Sequence, residues 1–295
     1  MICNMLKDMG IEAKQNFSLK NHISFKIDSI AALAVFPENE SQLCYAVKAV
    51  RESGMRFVIL GNGSNLFFGD GEVQSVLIFT KALDSISIEG TRLTALAGAS
   101  LGAVARGAAE ESLTGLEFAH GIPGTVGGAI FMNAGAYGGA ISDLLLESVA
   151  LDSETGEILT LREHEFGYRY STYMKNKSLI CLGGSFLLQK GDRETIMSTM
   201  KELAATRREK QPLEYPSAGS YFKRPAGHFA GKLIEDCGLK GTRIGGAAVS
   251  EKHAGFLVNL GDATADDVLR LETLIRDEVQ SRFGVCLERE VRLIR

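Results

Sequence analysis

The sequence predicts a mixed α+β fold with at least two domains. Its 295 residues exceed the roughly 100–200 residues of a typical single domain. Short apolar runs of strand length alternate along the chain with segments whose apolar residues recur at helical spacing. A turn-rich joint that contains Pro212, Pro216 and Gly219 precedes a last third with its own pattern. Helices and strands that mix in this way are typical of the α+β class.

The first predicted helix lies near the N-terminus. Leu43, Val47 and Val50 recur on one helical face. Ser41 is placed to cap the N-terminus of this helix, and Gly54 is placed to end it. We therefore expect a short amphipathic helix between Ser41 and Gly54.

Strands are predicted from short apolar or alternating runs that end in glycine or in polar turns. The predicted strands are 57–60, 76–79, 92–98, 178–189 and 285–294. The segments 148–152 and 158–161 flank a turn at 153–156 that ends in Gly156. This arrangement predicts a β-hairpin.

Three further helices are predicted from their caps and apolar faces. Ser100 caps a helix whose inward face is small and apolar. The segment 194–210 ends in basic residues, which suits the negative end of a helix dipole. The clearest helix covers 264–283, where Thr264 is the cap, acidic residues fill the first turn and Gly284 follows the end.

Composition and charge exclude several classes of protein. The 32 basic and 36 acidic residues are scattered and give a net charge of −4, which argues against nucleic-acid binding. No apolar run reaches the about 18–20 residues that span a bilayer, and the N-terminus lacks the apolar core of a signal peptide. Five widely spaced cysteines form no C-x-x-C pair, so we expect reduced thiols and no metal site. We expect a cytoplasmic protein without membrane association.

Glycine is the residue that needs an explanation, because 33 Gly stand beside 5 Pro. The segment 61–65, Gly-Asn-Gly-Ser-Asn, directly follows a predicted strand. It is a weak match to a dinucleotide fingerprint, since Leu66 occupies the third glycine position, and no Gly-Lys pair is followed by Ser or Thr as in a P-loop. Unshielded backbone N–H groups and short polar side chains suit a pyrophosphate. A plain tight turn is the alternative interpretation.

A second glycine-rich stretch, 120–139, contains seven glycines and predicts irregular backbone. Main chain without side chains would let a phosphate or a ring system approach closely, and Thr125 and Asn133 could donate hydrogen bonds to it. Two such loops in one chain favour an extended nucleotide ligand. The alternative is that the glycines only let helices and strands pack closely.

Five motifs in a fixed order carry a family resemblance. They are 61–66 (GNGSNL), 121–128 (GIPGTVGG), 168–169 (YR), 219–225 (GSYFKRP) and 287–291 (LEREV). Over residues 21–294 these motifs resemble the family of UDP-N-acetylenolpyruvoylglucosamine reductases, also called UDP-N-acetylmuramate dehydrogenases. The set is specific because it spans nearly the whole chain, whereas any single motif is a weak signal.

The resemblance implies a fold and a domain order. The expected fold is a vanillyl-alcohol-oxidase-like FAD-binding fold of two subdomains plus a C-terminal α+β substrate domain. The subdomains are expected at 1–90 and 91–195, and the substrate domain at 196–295, with its last strand returning to the flavin site. A chain of 295 residues leaves little room for the insertion of the longer class, so the shorter type II form is implied. A monomer is the expected oligomeric state.

The resemblance also implies a reaction. FAD is the implied cofactor, and NADPH is the co-substrate that reduces FAD and leaves before the UDP-sugar enters the same pocket. UDP-N-acetylglucosamine enolpyruvate would be reduced to UDP-N-acetylmuramate, a peptidoglycan precursor, by hydride transfer to C3 and proton transfer from Ser220 to C2. Two alternatives stay open: another FAD oxidoreductase of the same fold, and a non-catalytic nucleotide-sugar binding protein.

Three residues match the catalytic residues of the family: Ser220, Arg169 and Glu290. Reduction of an enolpyruvyl ether leaves negative charge on C2 and on the carboxylate, so the site needs an acid at C2 and a cation at the carboxylate. The planar guanidinium of Arg169 suits a carboxylate. Without the resemblance, Arg169 would be a surface cation on neighbouring tyrosine rings, Ser220 a turn residue, and Glu290 part of a solvated strand face.

The remaining implied contacts are to the cofactor and to the UDP moiety. The residues expected to bind FAD are Gly61, Asn62, Gly63, Ser64, Asn65, Gly121, Ile122, Pro123, Gly124, Thr125, Gly127 and Gly128. The residues expected to bind the substrate are Lys210, Lys223, Arg224 and Lys240. As isolated cations, Lys210 and Lys240 would simply face solvent. Arg224 stands where some members of the family carry asparagine.

Overall fold

The computed structural model describes residues 2–294, which fold into two compact units. The first unit comprises the described residues up to Gln15 together with Leu33–Asn62 and Ser75–Thr206. The second unit comprises Asn16–Ala32, Gly63–Gln74 and the described residues from Arg207 onward. Both units contain helices and strands, so the predicted α+β class is confirmed. The predicted boundaries at 90 and 195 stay predictions.

Eight α-helices lie in the described part of the chain. They are α1 (Ile2–Asp8), α2 (Glu40–Glu52), α3 (Leu101–Glu110), α4 (Val126–Met132), α5 (Thr172–Lys175), α6 (Arg193–Lys210), α7 (Ala230–Asp236) and α8 (Ala265–Phe283). Short 3₁₀ turns lie at Glu117–Ala119 and Ile141–Asp143. Within residues 2–294, no helix combines the length and the apolarity that crossing a bilayer requires.

Twenty strands lie in the same described range. They are β1 (Glu12–Ser18), β2 (Ile30–Phe36), β3 (Phe57–Leu60), β4 (Leu66–Phe68), β5 (Glu72–Val73), β6 (Val76–Phe79), β7 (Ile86–Glu89), β8 (Arg92–Leu96), β9 (Leu113–Thr114), β10 (Gly135–Ala136), β11 (Gly139–Ala140), β12 (Leu145–Asp152), β13 (Ile158–Leu161), β14 (Leu179–Leu187), β15 (Gln189–Lys190), β16 (Ser217–Ser220), β17 (Arg243–Ile244), β18 (Ala247–Val249), β19 (Phe256–Asn259) and β20 (Arg292–Ile294).

Two sheets form the framework of the first unit. The parallel strands β2, β6 and β3 lie side by side, and α2 packs on β6. The strands β13, β12, β14, β8 and β7 form an antiparallel sheet in that order. One apolar cluster, which includes Val35, Ile78 and Leu182, joins the two sheets. Alternate residues of β14, such as Cys181, point to a second cluster that also contains residues of α3 and α4. The antiparallel sheet is therefore covered on both faces.

A four-stranded antiparallel sheet is the framework of the second unit. Its strand order is β16-β19-β18-β17, and α8 packs against β17 and β18. The helix α7 packs on α8. A separate parallel pair joins β4 to β20, with Leu66 opposite Arg292. Phe67, Tyr221 and Leu271 belong to the core of this unit and are almost completely buried.

The helix predicted at 264–283 is confirmed as α8. Thr264 and Asp267 form a reciprocal capping box, in which each backbone N–H donates to the other residue's side-chain oxygen at 3.1 Å. The carboxylate of Asp70 accepts from the N–H groups of the first two helical residues at 2.8 and 2.9 Å. Gly284 ends the helix in the left-handed conformation, with φ of 68°. The caps that the sequence predicted, Thr264 and Gly284, are thus present at both ends of α8.

Most of the other predicted elements are confirmed with small changes of bounds. The strands β3 and β6 keep their predicted bounds, and β12 and β13 form the predicted hairpin. Ser100 caps α3, because its side-chain oxygen accepts from the N–H of Ala103 at 3.2 Å. The helix predicted at 194–210 begins one residue earlier, at Arg193.

The predicted cap of the first long helix is wrong. α2 begins after Asn39, whose side-chain oxygen accepts from the N–H of Gln42 at 2.9 Å. Asn39 has extended backbone, as an N-cap requires, whereas Ser41 already lies inside the first turn. Asparagine and serine are comparable caps, so local propensity did not distinguish the two positions.

The prediction of irregular backbone throughout 120–139 is also wrong, because α4 forms within it. Gly127 lies in the first turn of α4, where an added Cβ would stand 2.9 Å from the Cβ of Ala97. Close packing therefore explains this glycine, and tertiary contacts stabilise a helix that composition alone disfavours.

The single strand predicted over 285–294 is reduced to β20 at its end. Leu287 and Val291 are buried, as the alternating pattern predicted. Before β20 the segment makes only one isolated bridge within the described residues, between Phe222 and Arg289. The side-chain alternation was therefore predicted correctly. A continuous ladder needs a partner strand, and no strand of the described residues 2–294 pairs with the stretch before β20.

Replacing Gly98 by alanine is expected to destabilise the first unit strongly. The added Cβ would lie 1.9 Å from the carbonyl oxygen of Thr80 and 2.8 Å from that of Leu83, and backbone atoms cannot move aside independently. We expect the free energy of unfolding to fall by about 4 kcal/mol or more, as measured by chemical denaturation followed by circular dichroism.

Gly107→Ala is the matched control for Gly98→Ala. Its Cβ would meet only the Cδ1 of Ile88 at 3.9 Å, and alanine is preferred over glycine inside α3. This control should raise the free energy of unfolding by about 0.5–1 kcal/mol. A Gly98→Ala protein as stable as the wild type would contradict the close approach described here.

Candidate functional site

The two glycine motifs meet in the first unit. Gly61 directly follows β3, and an added Cβ at this position would lie 2.3 Å from the Oγ1 of Thr125. The side-chain amide of Asn62 donates to the carbonyl of Pro123 at 3.4 Å. Residues 61–62 thus lie directly against residues 123–125. Only glycine permits this approach at Gly61 without displacing the buried Thr125.

Main-chain N–H groups remain unpaired where the two motifs meet. Within residues 2–294, the N–H groups of Gly61, Asn62, Thr125 and Gly128 donate no hydrogen bond to the protein. Thr125 is almost fully buried, so its N–H calls for an acceptor from a ligand or from solvent. N–H groups that lack side-chain cover are suited to the oxygens of a phosphate or diphosphate.

The rest of the 121–128 segment is held firmly by hydrogen bonds. The N–H groups of Ile122, Val126 and Gly127 donate to the carbonyls of Ala119, Ala99 and Ala97, at 3.0, 2.9 and 2.9 Å. The carbonyl of Gly124 accepts from the N–H of Leu101 at 3.1 Å. The loop therefore has one defined conformation, and its unpaired N–H groups are preorganised.

The remaining part of the first motif, 63–65, belongs to the second unit. Gly63 has a φ of 58°, and its carbonyl accepts from the N–H of Ser24 at 3.1 Å. The carbonyl of Asn65 accepts from the N–H of Arg292 at 3.0 Å, and its side-chain amide donates to the carbonyl of Glu290 at 3.4 Å. Asn65 thus fixes the C-terminal segment that carries Glu290, a role that the sequence did not indicate.

Arg169 lies in a tight turn of the first unit. Gly167 and Tyr170 bridge across this turn, and Arg169 has a φ of 54°, which is unfavourable for a side chain of this size. Its guanidinium donates to the carbonyl of Gly135 at 3.2 Å and lies 5.4 Å from the ring centre of Tyr168. The contact between Arg169 and a tyrosine ring, which the sequence predicted as the non-catalytic alternative, is therefore present. The backbone of Arg169 is also strained, and backbone strain is common at functional residues.

The helix α4 connects the glycine segment to the Arg169 turn. It begins after Thr125 and ends at Asn133, which has a left-handed backbone with φ of 42°. The side-chain amide of Asn133 donates to the carbonyl of Gly167 at 3.0 Å, and its Oδ1 accepts from the N–H of Ser142 at 3.0 Å. The sequence names Asn133 as a residue that could donate to a ligand, and this stays a prediction. In the structure its side chain anchors the turn that carries Arg169.

A buried polar network lies next to the same turn. The hydroxyl of Ser148 contacts the Nε2 of His164 at 2.7 Å and the hydroxyl of Tyr173 at 2.8 Å. All three side chains are at most 5% exposed. The carbonyl of His164 accepts from the N–H of Thr172 at 2.7 Å, which closes the loop that carries Arg169. Burial lowers the pKa of His164 and raises the pKa of Tyr173, so both groups are neutral at physiological pH.

Ser220 is the last residue of β16, in the second unit. It pairs with Phe256 of β19 after an irregularity in the ladder, where Gly219 adopts a φ of 82°. The N–H of Tyr221 donates to the carbonyl of Gly255 at 2.8 Å, so the chain is held immediately after Ser220. The Ser220 side chain is exposed. The bulge at Gly219 therefore sets the direction of the strand end that carries it.

The second unit brings Glu290 beside Ser220. The carbonyl of Tyr221 accepts from the N–H of Glu290 at 2.9 Å, and the N–H of Lys223 donates to the carbonyl of Glu288 at 2.8 Å. These bonds align the segment 220–223 with the segment 288–290 in opposite directions. Two of the three residues predicted to be catalytic are thus neighbours in the fold, although 70 positions separate them in the sequence.

The predicted substrate cations also lie in the second unit, and three of them have partners in the protein. Lys223 forms an ion pair with Glu288, and Lys240 with Glu235 at 2.8 Å. The guanidinium of Arg224 lies 4.0 Å from the ring centre of Phe229. Lys210 is the exposed last residue of α6. These side chains are exposed or half-buried, so their positive charges are available to an anion.

Sequence reasoning missed three structural supports of the site. They are the anchoring role of Asn133, the Ser148–His164–Tyr173 network, and Glu272, a buried carboxylate in α8. A signal was present for Glu272, because it lies on the same helical face as Val268 and Val279 and so interrupts an apolar stripe. For the other two, no local pattern distinguishes a buried serine or asparagine from a surface one.

Within residues 2–294, no cluster of three His, Cys, Asp or Glu side chains could hold a metal ion.

Two family models match the chain. Residues 211–294 match the model described as UDP-N-acetylenolpyruvoylglucosamine reductase, C-terminal domain. Residues 31–162 match the model described as FAD binding domain. The FAD-binding match precedes the C-terminal-domain match along the chain, which is the order that the sequence motifs predicted.

Curated relatives named UDP-N-acetylenolpyruvoylglucosamine reductase cover nearly the whole chain. The protein of Exiguobacterium sibiricum is 47% identical over 281 residues, which cover 95% of this chain and 92% of the relative. The protein of Alkaliphilus oremlandii is 48% identical over 279 residues, which cover 94% and 91%.

Solved structures agree with the sequence matches. The crystal structure of UDP-N-acetylenolpyruvylglucosamine reductase from Thermus caldophilus has a TM-score of 0.81 at 32% identity, over 97% of this chain and 99% of that chain. A glucooligosaccharide oxidase of Acremonium strictum has a TM-score of 0.51 at 14% identity, over 98% of this chain and 59% of that chain, and shares the fold alone. The predicted vanillyl-alcohol-oxidase-like FAD-binding fold is confirmed.

Mild acid is expected to destabilise the first unit through His164. Burial lowers the pKa of this imidazole below its ordinary value of 6.5, and a backbone hydrogen bond with Arg162 opposes the shift only in part. The unfolded chain therefore takes up a proton near pH 6.5 that the folded protein resists. The stability that neutral His164 contributes is fully present above pH 6.5. As the pH falls from there toward the pKa of His164 in the folded protein, the free energy of unfolding decreases by at most about 1.4 kcal/mol per pH unit.

The measurement is the free energy of unfolding from about pH 7.5 to about pH 5.5, a range in which His164 responds but ordinary carboxylates do not. Burial also lowers the pKa of His253 in the second unit, so the wild type should show both contributions. His164→Gln keeps a polar group for Ser148 and should make the pH dependence shallower. An unchanged slope in this variant would contradict the assignment.

Proposed function

Because the chain belongs to the family of UDP-N-acetylenolpyruvoylglucosamine reductases, we propose that it reduces UDP-N-acetylglucosamine enolpyruvate to UDP-N-acetylmuramate. It is an FAD-dependent oxidoreductase of peptidoglycan precursor synthesis, and NADPH is its electron donor. The observation that supports the chemistry most directly is the hydrogen bond from the Glu290 N–H to the Tyr221 carbonyl, at 2.9 Å. It brings two predicted catalytic residues of the family, Ser220 and Glu290, into one place.

The residues of the two glycine motifs fit a diphosphate-containing cofactor. Among the described residues 2–294, the N–H groups of Gly61, Asn62, Thr125 and Gly128 have no acceptor, and the absence of a Cβ at Gly61 lets the two loops lie close together. We propose that residues 61–62 and 121–128 of the first unit hold FAD through these main-chain donors. When bound, FAD supplies the hydride that the enolpyruvyl C3 receives.

Arg169, Ser220 and Glu290 have separate roles in this proposal. Arg169 binds the enolpyruvyl carboxylate, where its charge stabilises the negative charge that develops during reduction. The hydroxyl of Ser220 donates the proton that C2 receives. A serine hydroxyl is a weak acid, so it must be held in one orientation. The pairing of Ser220 with Phe256 and the hydrogen bond from the N–H of Tyr221 to the carbonyl of Gly255 fix the backbone that carries this hydroxyl. Glu290 is the ionisable neighbour that we assign to orienting and supporting the proton transfer.

The positive side chains of the second unit are suited to the UDP part of the substrate. A nucleoside diphosphate carries charge that Lys210, Lys223, Arg224 and Lys240 can balance. Lys223 and Lys240 are held by carboxylates that would have to share or release them when the diphosphate binds. We propose these four residues as the diphosphate contacts.

We also propose that the protein is a cytoplasmic monomer. NADPH and UDP-sugars are cytoplasmic metabolites, and a cytoplasmic location is consistent with the five cysteines being free thiols. Sedimentation of the purified protein tests the monomer, and cell fractionation tests the location.

One anaerobic titration tests the proposed reaction. The visible spectrum of the purified protein should show bound flavin, and NADPH should bleach the flavin band. Addition of UDP-N-acetylglucosamine enolpyruvate should restore the band. A flavin that bleaches but does not respond to the sugar would favour another FAD oxidoreductase. A colourless protein that binds the UDP-sugar but not FAD would favour the non-catalytic binding protein.

Gly61→Ala is expected to weaken FAD binding. The new Cβ would stand 2.3 Å from the Oγ1 of Thr125, so the two loops must separate and the unpaired N–H groups lose their arrangement. We expect the dissociation constant for FAD to rise by about tenfold or more, as measured by equilibrium titration of the apoprotein. Gly107→Ala is the control, because Gly107 belongs to neither motif and its added Cβ would meet only the Cδ1 of Ile88 at 3.9 Å, so this variant should bind FAD as the wild type does. Unchanged affinity in Gly61→Ala would rule out the steric argument.

Ser220→Ala is expected to separate the two half-reactions. Reduction of the flavin by NADPH needs no proton from Ser220 and should proceed within about twofold of the wild-type rate. Reoxidation by the enolpyruvyl sugar should slow by about 10²-fold or more, the usual contribution of a general acid. Stopped-flow absorbance measures both rates. Ser217→Ala, on the same strand, is the control, and equal loss of both half-reactions in Ser220→Ala would count against the role of Ser220.

A further inference from the structure

Glu272 is a carboxylate buried in the core of the second unit. It lies in α8 on the face that also carries Val268, Ile275 and Val279, and only 3% of its surface is exposed. A carboxylate in such surroundings is costly unless cations and hydrogen-bond donors compensate it. The partners of Glu272 therefore indicate what this residue does in the fold.

Three side chains surround the Glu272 carboxylate. The hydroxyl of Tyr221 donates to Oε2 at 2.9 Å. The Nε of Arg289 lies 2.9 Å from the same oxygen, at an angle that makes the contact an ion pair rather than a hydrogen bond. Arg276, one turn further along α8, places its Nη1 3.7 Å from Oε1. Burial raises the pKa of Tyr221, so its phenol keeps the proton that it donates.

Two of these partners adjoin the proposed catalytic residues. Tyr221 directly follows Ser220, and Arg289 directly precedes Glu290. The same two segments are already paired through their backbones, by the hydrogen bond from the Glu290 N–H to the Tyr221 carbonyl. One buried carboxylate on a third element thus joins the segment of the proton donor to the segment of its acidic neighbour.

Burial and aromatic packing restrict the side chain of Tyr221. It is 1% exposed, and its ring packs against Phe67 and Phe222 at centroid distances of 6.4 and 5.1 Å. The packing places the ring, and within residues 2–294 the hydroxyl makes a single hydrogen bond, to Glu272, which fixes its polar end. Over the same range, Glu272 is the single ion-pair partner of Arg289, so the position of the guanidinium depends on the charge of Glu272.

We propose that Glu272 is a positioning residue for the proton transfer, which sets the placement of Ser220 relative to Glu290 through Tyr221 and Arg289. This proposal rests on the function proposed above. It predicts that loss of the Glu272 charge slows reoxidation of the flavin by the enolpyruvyl sugar, which uses Ser220. Reduction of the flavin by NADPH, which does not use Ser220, should be unaffected. A purely structural role would instead lower stability and affect FAD binding and both half-reactions together.

Glu272→Gln is the decisive variant. The amide oxygen of glutamine can still accept from Tyr221, whereas the charge opposite Arg289 is lost, so folding is conserved as far as possible. We expect unchanged FAD content and an unchanged rate of flavin reduction by NADPH. Reoxidation by UDP-N-acetylglucosamine enolpyruvate should slow by about ten- to a hundredfold, the range in which small displacements of reacting groups act. Stopped-flow absorbance of the FAD-loaded protein gives both rates.

Two further variants make the test specific. Glu278→Gln removes a half-exposed carboxylate of the same helix, paired with Arg282, and should match the wild type in both half-reactions. In a Ser220→Ala background, Glu272→Gln should slow reoxidation no further, because it acts through the residue already removed. An independent, multiplicative loss in the double variant would overturn the proposal.

The possible outcomes separate this proposal from the function on which it rests. If the wild-type flavin is reoxidised by the sugar and Glu272→Gln behaves identically, the positioning role is wrong and the function stands. If Glu272→Gln fails to fold, or loses both half-reactions equally, Glu272 is structural only and the proposal is overturned. If the wild type is not reoxidised by the sugar, the proposed function fails and the role of Glu272 fails with it.

Discussion

A short antiparallel contact between two segments that are distant in the chain organises the second unit. Tyr221 accepts a hydrogen bond from Glu290, and Lys223 donates one to Glu288. The contact is too short to be a regular sheet, so other elements must hold it in place. Asn65 binds the carbonyl of Glu290, and the bulge at Gly219 turns the end of β16 toward the contact. The geometry of the proposed proton donor depends on all of these supports together.

In the first unit, one short helix, α4, holds two separate segments in place. α4 starts at a segment whose main chain must stay uncovered and ends at a residue that anchors a strained turn. Glycine at position 127 lets the helix pack directly on Ala97, which fixes the position of the preceding loop. The glycine segment that ends at Thr125 and the Arg169 turn are therefore rigidly related within this unit, because seven residues of helix separate them.

The turn that carries Arg169 has a strained backbone. Arg169 and Asn133, whose side-chain amide anchors this turn, both adopt left-handed conformations, with φ of 54° and 42°, although neither is glycine. Such conformations cost about 1–2 kcal/mol for an L-residue, so the surrounding contacts must stabilise them. For the Arg169 turn, these contacts are the hydrogen bonds to Gly135 and Gly167 and the buried network around His164. This support is consistent with an arginine that must be presented in one orientation.

The sequence alone determined the elements whose signals are local. The capping box of α8, the hairpin around Gly156 and the helix after Ser100 were all predicted correctly, because a few neighbouring residues encode each of them. The ordered motifs likewise identified the family and its cofactor, since glycines and charged residues at fixed positions are visible without coordinates. Where two local signals were equivalent, as at Asn39 and Ser41, the sequence could not choose between them.

The tertiary structure decided everything that depends on residues far apart in the chain. Only the fold shows that Gly61 is glycine because Thr125 lies against it, and that Ser220 lies beside Glu290. It also converts most of the expected last strand into an irregular segment held by a few backbone and side-chain hydrogen bonds, and it makes Glu272 a buried link between the segments that carry Tyr221 and Arg289. The physical reason is that close approach, burial and ion pairing are properties of three-dimensional neighbours, whereas periodicity and capping report only on neighbours along the chain.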